Sequence, residues 1–589
     1  AGTEFAADTR GGAILITLRR RRDGGMDGNL QFSTVQSNRI AGYTPSGRIG
    51  IRTGRWTLTA SGSGSFTPVA ESRFTETREQ AGQPLPFAGR SDSKSRTNYG
   101  RGHFSAVFDP TPKHTAGFDI EYTERSTHMP TLSRTTLGQT QSDSRYRQHM
   151  DGNTLTATAN YIWKIDTLGS QFKLIADYTR YTSDGDNSYH TTTCAPGTLR
   201  DSLYESATGS VYDILTADAG LTRKLPHGLT LRAGLRYTRN DMADKSRYAA
   251  QTQGTWLALP EYSYDQHYTE QIGAAYASLE YSAGRWELSA GLRGEYTSVA
   301  SQAFGRSYFG LFPNVSVSRA LNALRTWLLV AQWSRNIERP AFPALNPARI
   351  RISDYSWQSG NPSLRPTYIH RFSLTAVWKY RYTLTVGGNL HHDLIREIAH
   401  RDATAPDAVY IRPENHYTEN HWFVAASVPA KITRWWNLSV NAVGVMQRIR
   451  LNSTDSPATH YLMFADATCS FTLPAGFFAE AAYRAQSRLY SGNSEVGPRH
   501  TLSATVKKQL FDKRLTLFCT LSNITGCDWE FASLTDGMRR TIDTRQAWSG
   551  RLWKVGAAWN FRTGKKFRAR TVESAAETQR KRLVKSTEQ

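Results

Sequence analysis

Residues 333–368 read WSRNIERPAFPALNPARIRISDYSWQSGNPSLRPTY and lie between two segments in which apolar and polar residues alternate. Every second residue is apolar in both segments, and a period of two predicts β-strands with one apolar face. These apolar residues are Trp327, Leu329, Ala331 and Trp333 before the stretch, and Phe372, Leu374, Ala376 and Trp378 after it. The stretch itself contains Pro340, Pro343, Pro347, Pro362 and Pro366. Proline has no backbone N–H for a strand ladder, so the stretch is predicted to be an ordered loop between two strands.

Hydropathy excludes one way of crossing a membrane and permits another. Mean hydropathy is −0.52, and no run approaches the about 18 consecutive apolar residues of a transmembrane helix. A transmembrane β-barrel stays compatible with this value, because the polar residues facing its lumen lower the average. Aromatic residues make up 11% of the chain, which suits strands with aromatic girdles at the membrane boundaries.

The formal net charge is +22, but the basic residues are dispersed and form no single binding stripe. Binding of nucleic acid is therefore not predicted. Much of the excess charge lies beside predicted short turns, where it favours solubility and flanks the membrane boundary. Contacts with acidic lipid groups or with an anionic solute are the alternative. Examples are Lys113, Lys164, Arg223, Lys224, Lys379, Arg381, Lys507, Lys508, Lys513 and Arg514.

Residues with metal-binding or catalytic chemistry form no recognisable motif. The cysteines Cys194, Cys469, Cys519 and Cys527 have neither CxxC nor zinc spacing. His391, His392 and Asp393 are adjacent, but on a strand only the first and third share a face, and two ligands do not make a metal site. The motifs GxSxG, HExxH, the P-loop and the EF-hand loop are absent. We therefore predict no cofactor, no metal and no enzymatic activity.

Connection lengths alternate between short and long along the whole chain. Counting from Met26, we predict about 22 strands of roughly ten residues, joined by eleven loops and ten turns. The first outer loop is predicted at residues 40–47 and the first inner turn at Gly54-Arg55. Further long loops are predicted near 67–95, 126–150 and 182–203, among others. A soluble sandwich or propeller does not explain this alternation. The predicted fold is all-β: a transmembrane antiparallel up-and-down β-barrel with short periplasmic turns and long extracellular loops.

The clearest strands also indicate which face meets lipid. In 229–238 and 286–296, Leu, Ala, Tyr and Trp alternate with Thr, Arg, Ser and Glu. The apolar set is predicted to face lipid and the polar set the lumen. The charged residues of the lumen could line the path of a solute or bind a plug domain. Alternatively, they only make the interior of the barrel polar. The predicted lumen-lining residues are Arg232, Arg236, Glu287, Arg293, Glu295 and Lys554.

Three segments carry a family resemblance. They are Gly11-Gly12-Ala13-Ile14-Leu15-Ile16 near the start, the loop 333–368, and residues 506–524 near the end. Together they resemble the TonB-dependent receptor superfamily of outer-membrane barrels, in its Bacteroidetes type. The resemblance covers the chain to about Arg562. The residues that match the family loop motif are Arg335, Arg339, Pro340, Asn346, Pro347, Gly360, Asn361, Pro362 and Pro366.

The resemblance implies two regions: 1–25 as the C-terminal remnant of a plug domain and 26–561 as the barrel. The polar composition of 562–589 predicts a periplasmic tail that is disordered or weakly helical. The resemblance also implies ligand binding and uptake across the outer membrane of a Gram-negative cell, with both chain ends periplasmic. Partners would be outer-membrane lipid, TonB if a full plug precedes the chain, and a surface lipoprotein or another outer-membrane protein. The alternative function is a barrel scaffold or gate in a multi-protein complex, its lumen filled by a separate protein.

Overall fold

The structure, a computed structural model, describes Ala7 and residues 24–80, 82–302, 304–403, 405, 407–564 and 572–583. Strands dominate it because period-two alternation continues from Met26 almost to the end of the chain. The barrel wall consists of β1 (Gly25–Gln36), β2 (Ile40–Thr53), β3 (Trp56–Gln80), β4 (Gln83–Phe108), β5 (His114–Leu137), β6 (Thr140–Lys164), β7 (Gln171–Ala195), β8 (Thr198–Lys224), β9 (Leu229–Thr252), β11 (Tyr264–Ala283), β12 (Trp286–Ser301), β13 (Gly305–Ala320), β14 (Trp327–Glu338), β17 (Thr367–Trp378), β18 (Tyr382–Arg401), β19 (Val409–Lys431), β20 (Trp436–Arg450), β21 (Ala458–Thr472), β22 (Phe477–Gln486), β25 (Arg499–Leu510), β26 (Leu515–Ser522) and β29 (Leu552–Gly564).

The wall closes on itself through its first and last strands. β1 pairs antiparallel with β2 on one side and with β29 on the other. In the closing pair, Gly25 lies opposite Gly564 and Gln36 lies opposite Trp553. The wall therefore has 22 antiparallel strands, as predicted, and closure removes the free sheet edges that would otherwise promote aggregation.

The shorter elements of the described residues belong to the outer connections, to turns or to the segment after the last strand. Seven further strands lie in outer connections: β10 (Thr255–Ala258), β15 (Arg349–Ser353), β16 (Ser356–Ser359), β23 (Leu489–Ser491), β24 (Ser494–Val496), β27 (Trp529–Thr535) and β28 (Met538–Arg545). The helical elements are α1 (Phe342–Leu345), α2 (Glu577–Lys581) and 3-10 turns at Pro226–Gly228, Pro260–Tyr262 and Pro474–Gly476. Among the described residues, no helix has the length and apolar character needed to cross a membrane.

The outward face of the wall is apolar, as the alternation predicted. Leu235, Leu292 and Val555 are exposed on it, while neighbouring polar residues point inward. Tyr237 and Tyr296 mark the outer aromatic boundary on their strands, above which outward residues become polar. We take the strand segments between these aromatics and the short turns as the membrane-spanning part.

Several strands are much longer than the predicted ten residues. β3 to β9 each contain between 24 and 27 residues. Most of the stretches predicted as long loops near 67–95, 126–150 and 182–203 are therefore paired strand ends that project outside the membrane. The prediction failed there because polar, Ser- and Thr-rich sequence resembles a loop, although its backbone continues the same ladder.

The connections confirm that short turns lie at one end of the barrel, but they place the first outer loop at other residues than predicted. β2 and β3 join at 54–55, as predicted, and short turns follow at 109–113, 165–170 and seven further places. The predicted outer loop at 40–47 is wrong, because these residues lie in β2 and 37–39 make the connection. Pro45 and Gly47 suggested a loop, but the ladder with β1 continues through them, with Phe32 opposite Pro45.

The chain ends differ from expectation where they are described. Of the predicted plug remnant, 1–25, all but Ala7, Gly24 and Gly25 lies outside the described residues. Of the two expectations for the tail, disorder does not describe residues 572–583, which pack against the inner wall and include the short helix α2. Ala576 is 0% exposed and Arg582 is 6% exposed. The polar composition of this segment suggested disorder, but its charged side chains have partners inside the lumen.

Candidate lumen site

The proline-rich loop between β14 and β17, residues 339–366, folds inward onto the wall; we call it the signature loop. Phe342, Leu345 and Leu364 are at most 4% exposed. They belong to one apolar cluster with inward side chains of β8, β9, β11 and β12, namely Tyr212, Ile214, Met242, Tyr268 and Val299. Burial of these side chains favours the inward position of the loop at that side of the lumen.

Local chemistry shapes the signature loop. Its single turn of helix, α1, has a proline in its first turn, where the missing N–H costs nothing. Gly360 approaches the backbone of Asn346 so closely that a Cβ atom there would lie 2.1 Å from the Asn346 carbonyl oxygen. Asn361 donates from Nδ2 to the Pro413 carbonyl oxygen at 3.0 Å. Asn346 accepts a hydrogen bond from the Tyr264 hydroxyl at 2.6 Å.

One ion-pair cluster joins the signature loop to β12. Nη2 of Arg339 lies 2.7 Å from Oε2 of Glu295 and also donates to the Thr297 hydroxyl at 3.0 Å. Nε of Arg293 donates to the other Glu295 oxygen at 2.6 Å. All three charged side chains are at most 3% exposed. The glutamate therefore holds two buried guanidinium groups, one from the wall and one from the loop.

A second cluster joins residues 572–583, which we call the C-terminal segment, to β11. The Arg582 guanidinium pairs with the buried carboxylate of Glu270, and its Nε donates to the Pro340 carbonyl oxygen at 3.0 Å. Nδ2 of Asn240 donates to Glu270 at 2.8 Å and to the Gln579 side chain at 3.2 Å. The signature loop and the C-terminal segment thus meet at Pro340.

A small polar cavity lies between these two clusters. It is lined by wall residues, by the first residue of the signature loop and by the C-terminal segment, namely Arg236, Thr238, Ile272, Arg293, Glu295, Arg339, Ala575, Thr578 and Gln579. Most of its lining residues have charged or polar side chains, so it suits ordered water better than an apolar ligand.

Two carboxyl groups above the outer aromatic boundary have opposite pKa shifts. Burial favours the neutral form of Glu270, but the guanidinium groups of Arg582 and Arg339 outweigh it and hold the pKa of Glu270 below its ordinary value. Burial instead raises the pKa of Asp244, although the hydroxyls of Ser210 and Tyr212 donate to it. The two pKa shifts have opposite directions because guanidinium groups lie beside Glu270, whereas the groups that bond to Asp244 are neutral hydroxyls.

Ala7, the described residue of the N-terminal region, contacts β14 and β12. The amide N of Ile337 donates to the Ala7 carbonyl oxygen at 3.1 Å. The amide N of Ala7 lies 3.3 Å from Oε1 of Glu295. Residues from both terminal regions are therefore brought to the same part of the inner wall.

Among the predicted motif residues, Arg339, Pro340, Asn346, Gly360 and Asn361 make the contacts given above. Arg335 lies at the end of β14, with its guanidinium 5.0 Å from the Tyr368 ring centroid. Pro347 and Pro362 are half-buried, and Pro366 is buried where β17 begins.

Four of the six predicted lumen-lining residues form ion pairs, and the other two are exposed. Arg293 and Glu295 belong to the cluster on β12. Arg236 pairs with Asp218 at 2.8 Å, and Arg232 pairs with Glu280. Glu287 and Lys554 are exposed; alternation places them on the inner face, away from the signature loop.

Sequence reasoning missed Glu270, Asn240 and Arg582. Alternation along β11 and β9 could have indicated the inward position of the first two, because Tyr268 and Ile272 flank Glu270 at a spacing of two. No sequence signal indicated that Arg582, 312 residues from Glu270, would reach it.

The histidine cluster on β18 does not form the face that alternation predicted. His391 lies 2.7 Å from the Glu419 carbonyl oxygen through Nδ1, while Asp393 adopts a positive φ of 57° and accepts from Arg365 at 2.7 Å. This local irregularity removes the shared face of His391 and Asp393. In the described part of the chain, no three His, Cys, Asp or Glu side chains are grouped so as to hold a metal ion.

Solved structures share the architecture of this chain. The siderophore receptor PirA from Pseudomonas aeruginosa is 13% identical with a TM-score of 0.55, over 92% of this chain and 81% of that one. A variant of the ferric enterobactin receptor PfeA from the same organism, in complex with enterobactin, is 14% identical with a TM-score of 0.56, over 91% and 81%. The copper transporter OprC is 11% identical with a TM-score of 0.60, over 92% and 81%. At such identities the likeness shows the fold.

Family membership rests on a separate comparison. No curated protein matches the chain. A family described as the outer membrane protein beta-barrel family matches residues 163–559, which is more than half of the chain and includes the signature loop. The chain therefore belongs to the outer membrane protein beta-barrel family.

Proposed function

We propose that this barrel is a receptor that binds a ligand outside the cell and admits it through the lumen. The observation that carries the proposal is the inward fold of the signature loop. Its apolar residues and Arg339 attach it to the wall, so part of the lumen is closed by a segment that lies between two strands and is tethered at both ends. Moving such a segment would open a path without disturbing the wall.

The proposed ligand is an anionic metal chelate of the ferric siderophore class. Support comes from the names of the similar structures, two of which are siderophore receptors, and from the charge of this chain. The net charge is +22. Exposed guanidinium groups lie toward the long-connection end of the barrel, including those of Arg365, Arg412 and Arg488, each of which also pairs with one carboxylate. Such groups attract anions before contact.

Energised uptake through TonB is part of the proposal if a full plug precedes this chain. The test is uptake of ⁵⁵Fe-labelled ferric siderophores, with ferric enterobactin first, by cells that carry or lack the gene. We expect gene-dependent accumulation that a protonophore abolishes. Uptake unchanged by deletion, across catecholate, hydroxamate and carboxylate siderophores, would reject the ligand class. Gene-dependent uptake insensitive to the protonophore would reject the energised mechanism.

A scaffold or gate is the second candidate, and one observation favours it. Lys554 on β29 is exposed on the inner face, so a charged part of the wall is open to a separate filling protein. Cross-linking at an amber-encoded photoreactive residue at position 554 tests this candidate in intact outer membranes. A specific adduct with a second protein, lost when the photoreactive residue replaces outward Val555, supports the scaffold. Adducts within this chain alone reject it.

A further inference from the structure

The C-terminal segment, residues 572–583, follows an upward path inside the lumen. Glu573 pairs with Lys173 at 2.6 Å, near the short-turn end of β7. The amide N of Ala575 donates to Asp177 at 2.7 Å, four residues farther along the same strand. Gln579 then meets Asn240, and Arg582 meets Glu270, both above the outer aromatic boundary. The segment thus crosses the inner wall from the periplasmic side toward the extracellular side.

Its last described residues bind the signature loop as well as the wall. The amide N of Phe342 donates to the Arg582 carbonyl oxygen at 2.8 Å. The Arg582 guanidinium lies 4.2 Å from the Phe342 ring centroid and donates to the Pro340 carbonyl oxygen. Phe342 is 1% exposed. One arginine therefore contacts the wall acid, the loop backbone and the loop aromatic at once.

We propose that the C-terminal segment is a latch that closes the lumen in cis. Its arginine, Arg582, occupies a guanidinium-binding site made by Glu270 on the wall and Pro340 and Phe342 on the signature loop. While Arg582 is bound, the loop stays in its inward position. When it leaves, the loop loses a charged contact at its first turn and Glu270 is left without this cation, so the inward position is weakened. This latch does not depend on which ligand the barrel binds.

The chemistry of the site favours arginine over lysine. Nη1 of the guanidinium donates to the Glu270 carboxylate and to the Gln579 side chain at 2.8 Å. Nη2 donates to the other Glu270 oxygen at 3.4 Å, and Nε donates to the Pro340 carbonyl oxygen. The guanidinium also stacks over an aromatic ring. An ammonium group is a point charge that cannot satisfy this planar arrangement. These contacts favour the arginine of this segment, whereas the exposed neighbour Lys581 pairs with Glu577 at 2.9 Å.

The first test uses single-channel conductance of the whole purified chain in planar bilayers. We expect Arg582→Gln and Glu270→Gln each to raise the open fraction severalfold. Lys581→Gln is the matched control, since it removes a neighbouring but exposed charge. The exchange Arg582→Glu with Glu270→Arg should restore part of the closed fraction. Heat-modifiable migration in gels verifies that each variant is folded. Equal open fractions for Arg582→Gln, Lys581→Gln and the unmodified chain would overturn the latch.

The second test does not depend on conduction. Cysteines at Asp177 and Ala575, in a chain whose native cysteines are replaced by serine, should form a disulfide in isolated outer membranes under mild oxidant. A cysteine at outward Tyr178 in place of Asp177 is the control and should not react with position 575. Absence of the 177–575 cross-link in a folded chain would show that the segment does not lie in the lumen, and would overturn the proposal by itself.

Discussion

Arg339 and Glu295 form a buried ion pair at 2.7 Å, although one belongs to the proline-rich signature loop and the other to the alternating strand β12. Sequence patterns had singled out each residue for a different reason. The pair joins the two features, because the loop folds into the lumen toward which Glu295 points.

Removing the carboxylate of Glu295 should be costly. Glu295→Gln leaves the buried guanidinium groups of Arg293 and Arg339 without their shared counter-ion, which costs about 3–5 kcal/mol of unfolding free energy. Urea titration of the barrel in lipid vesicles measures this loss. Glu287→Gln, an exposed position on the same strand, should change stability by less than about 0.5 kcal/mol. Similar losses for the two variants would contradict the structural role of the cluster.

A methyl group at Gly360 should displace the signature loop. Its Cβ would overlap the Asn346 carbonyl oxygen, and such overpacking costs about 1–3 kcal/mol. We expect Gly360→Ala to increase tryptic cleavage after Arg349 in intact cells. Gly273→Ala on β11 is the control, because a Cβ there meets nothing within 4 Å. Unchanged cleavage in Gly360→Ala would show that the loop tolerates the contact.

The lipid-facing assignment predicts an asymmetry within β12. Leu292 is exposed on the outward face, midway between the aromatic boundaries, and arginine there should cost about 2–4 kcal/mol in a bilayer. Arginine at inward Ser289, beside Glu280 across the strand pair, should cost much less. Free energies of folding into vesicles compare the two. A reversed order would place the wrong face of β12 in lipid.

The native Cys194 tests which end of the barrel faces outward. It is exposed near the tip of the β7–β8 hairpin, on the long-connection side. We expect a membrane-impermeant maleimide to label it in intact cells, and Cys194→Ser to abolish that label. A cysteine replacing Leu324, which is 80% exposed in a short turn, should react only after permeabilisation in the Cys194→Ser background. The opposite pattern would invert the topology.

Acid should release the C-terminal segment. Burial opposes ionisation of Glu270, but the guanidinium groups of Arg582 and Arg339 hold its pKa below the ordinary value. The stabilisation that the ionised carboxylate gives to the docked segment is therefore fully present above the ordinary glutamate pKa of about 4.3. This stabilisation is lost as the pH falls through the lowered pKa of Glu270. Conductance should therefore be constant between pH 7 and pH 5 and rise in stronger acid. Glu270→Gln should lack this transition and be open throughout. An identical pH profile for both proteins would exclude Glu270 as the titrating group.

Much of the wall could be predicted because alternation is a local property. The apolar residues at every second position assigned the outward faces of β9 and β12. The alternation of connection lengths gave the strand number. Element ends were less predictable, since polar strand ends outside the membrane, such as those of β5 and β6, have loop-like composition while their ladders continue.

The amino-acid sequence by itself determined the strand period, the lipid-facing side, the inward position of Glu295 and the ordered loop around Arg339. Only the tertiary structure decided that Arg339 meets Glu295 and that Arg582 meets Glu270. The physical reason is that closure of the wall brings distant inward side chains around one lumen. A buried charge is stable there only beside its counter-charge, and that pairing depends on three-dimensional position, which no local pattern contains.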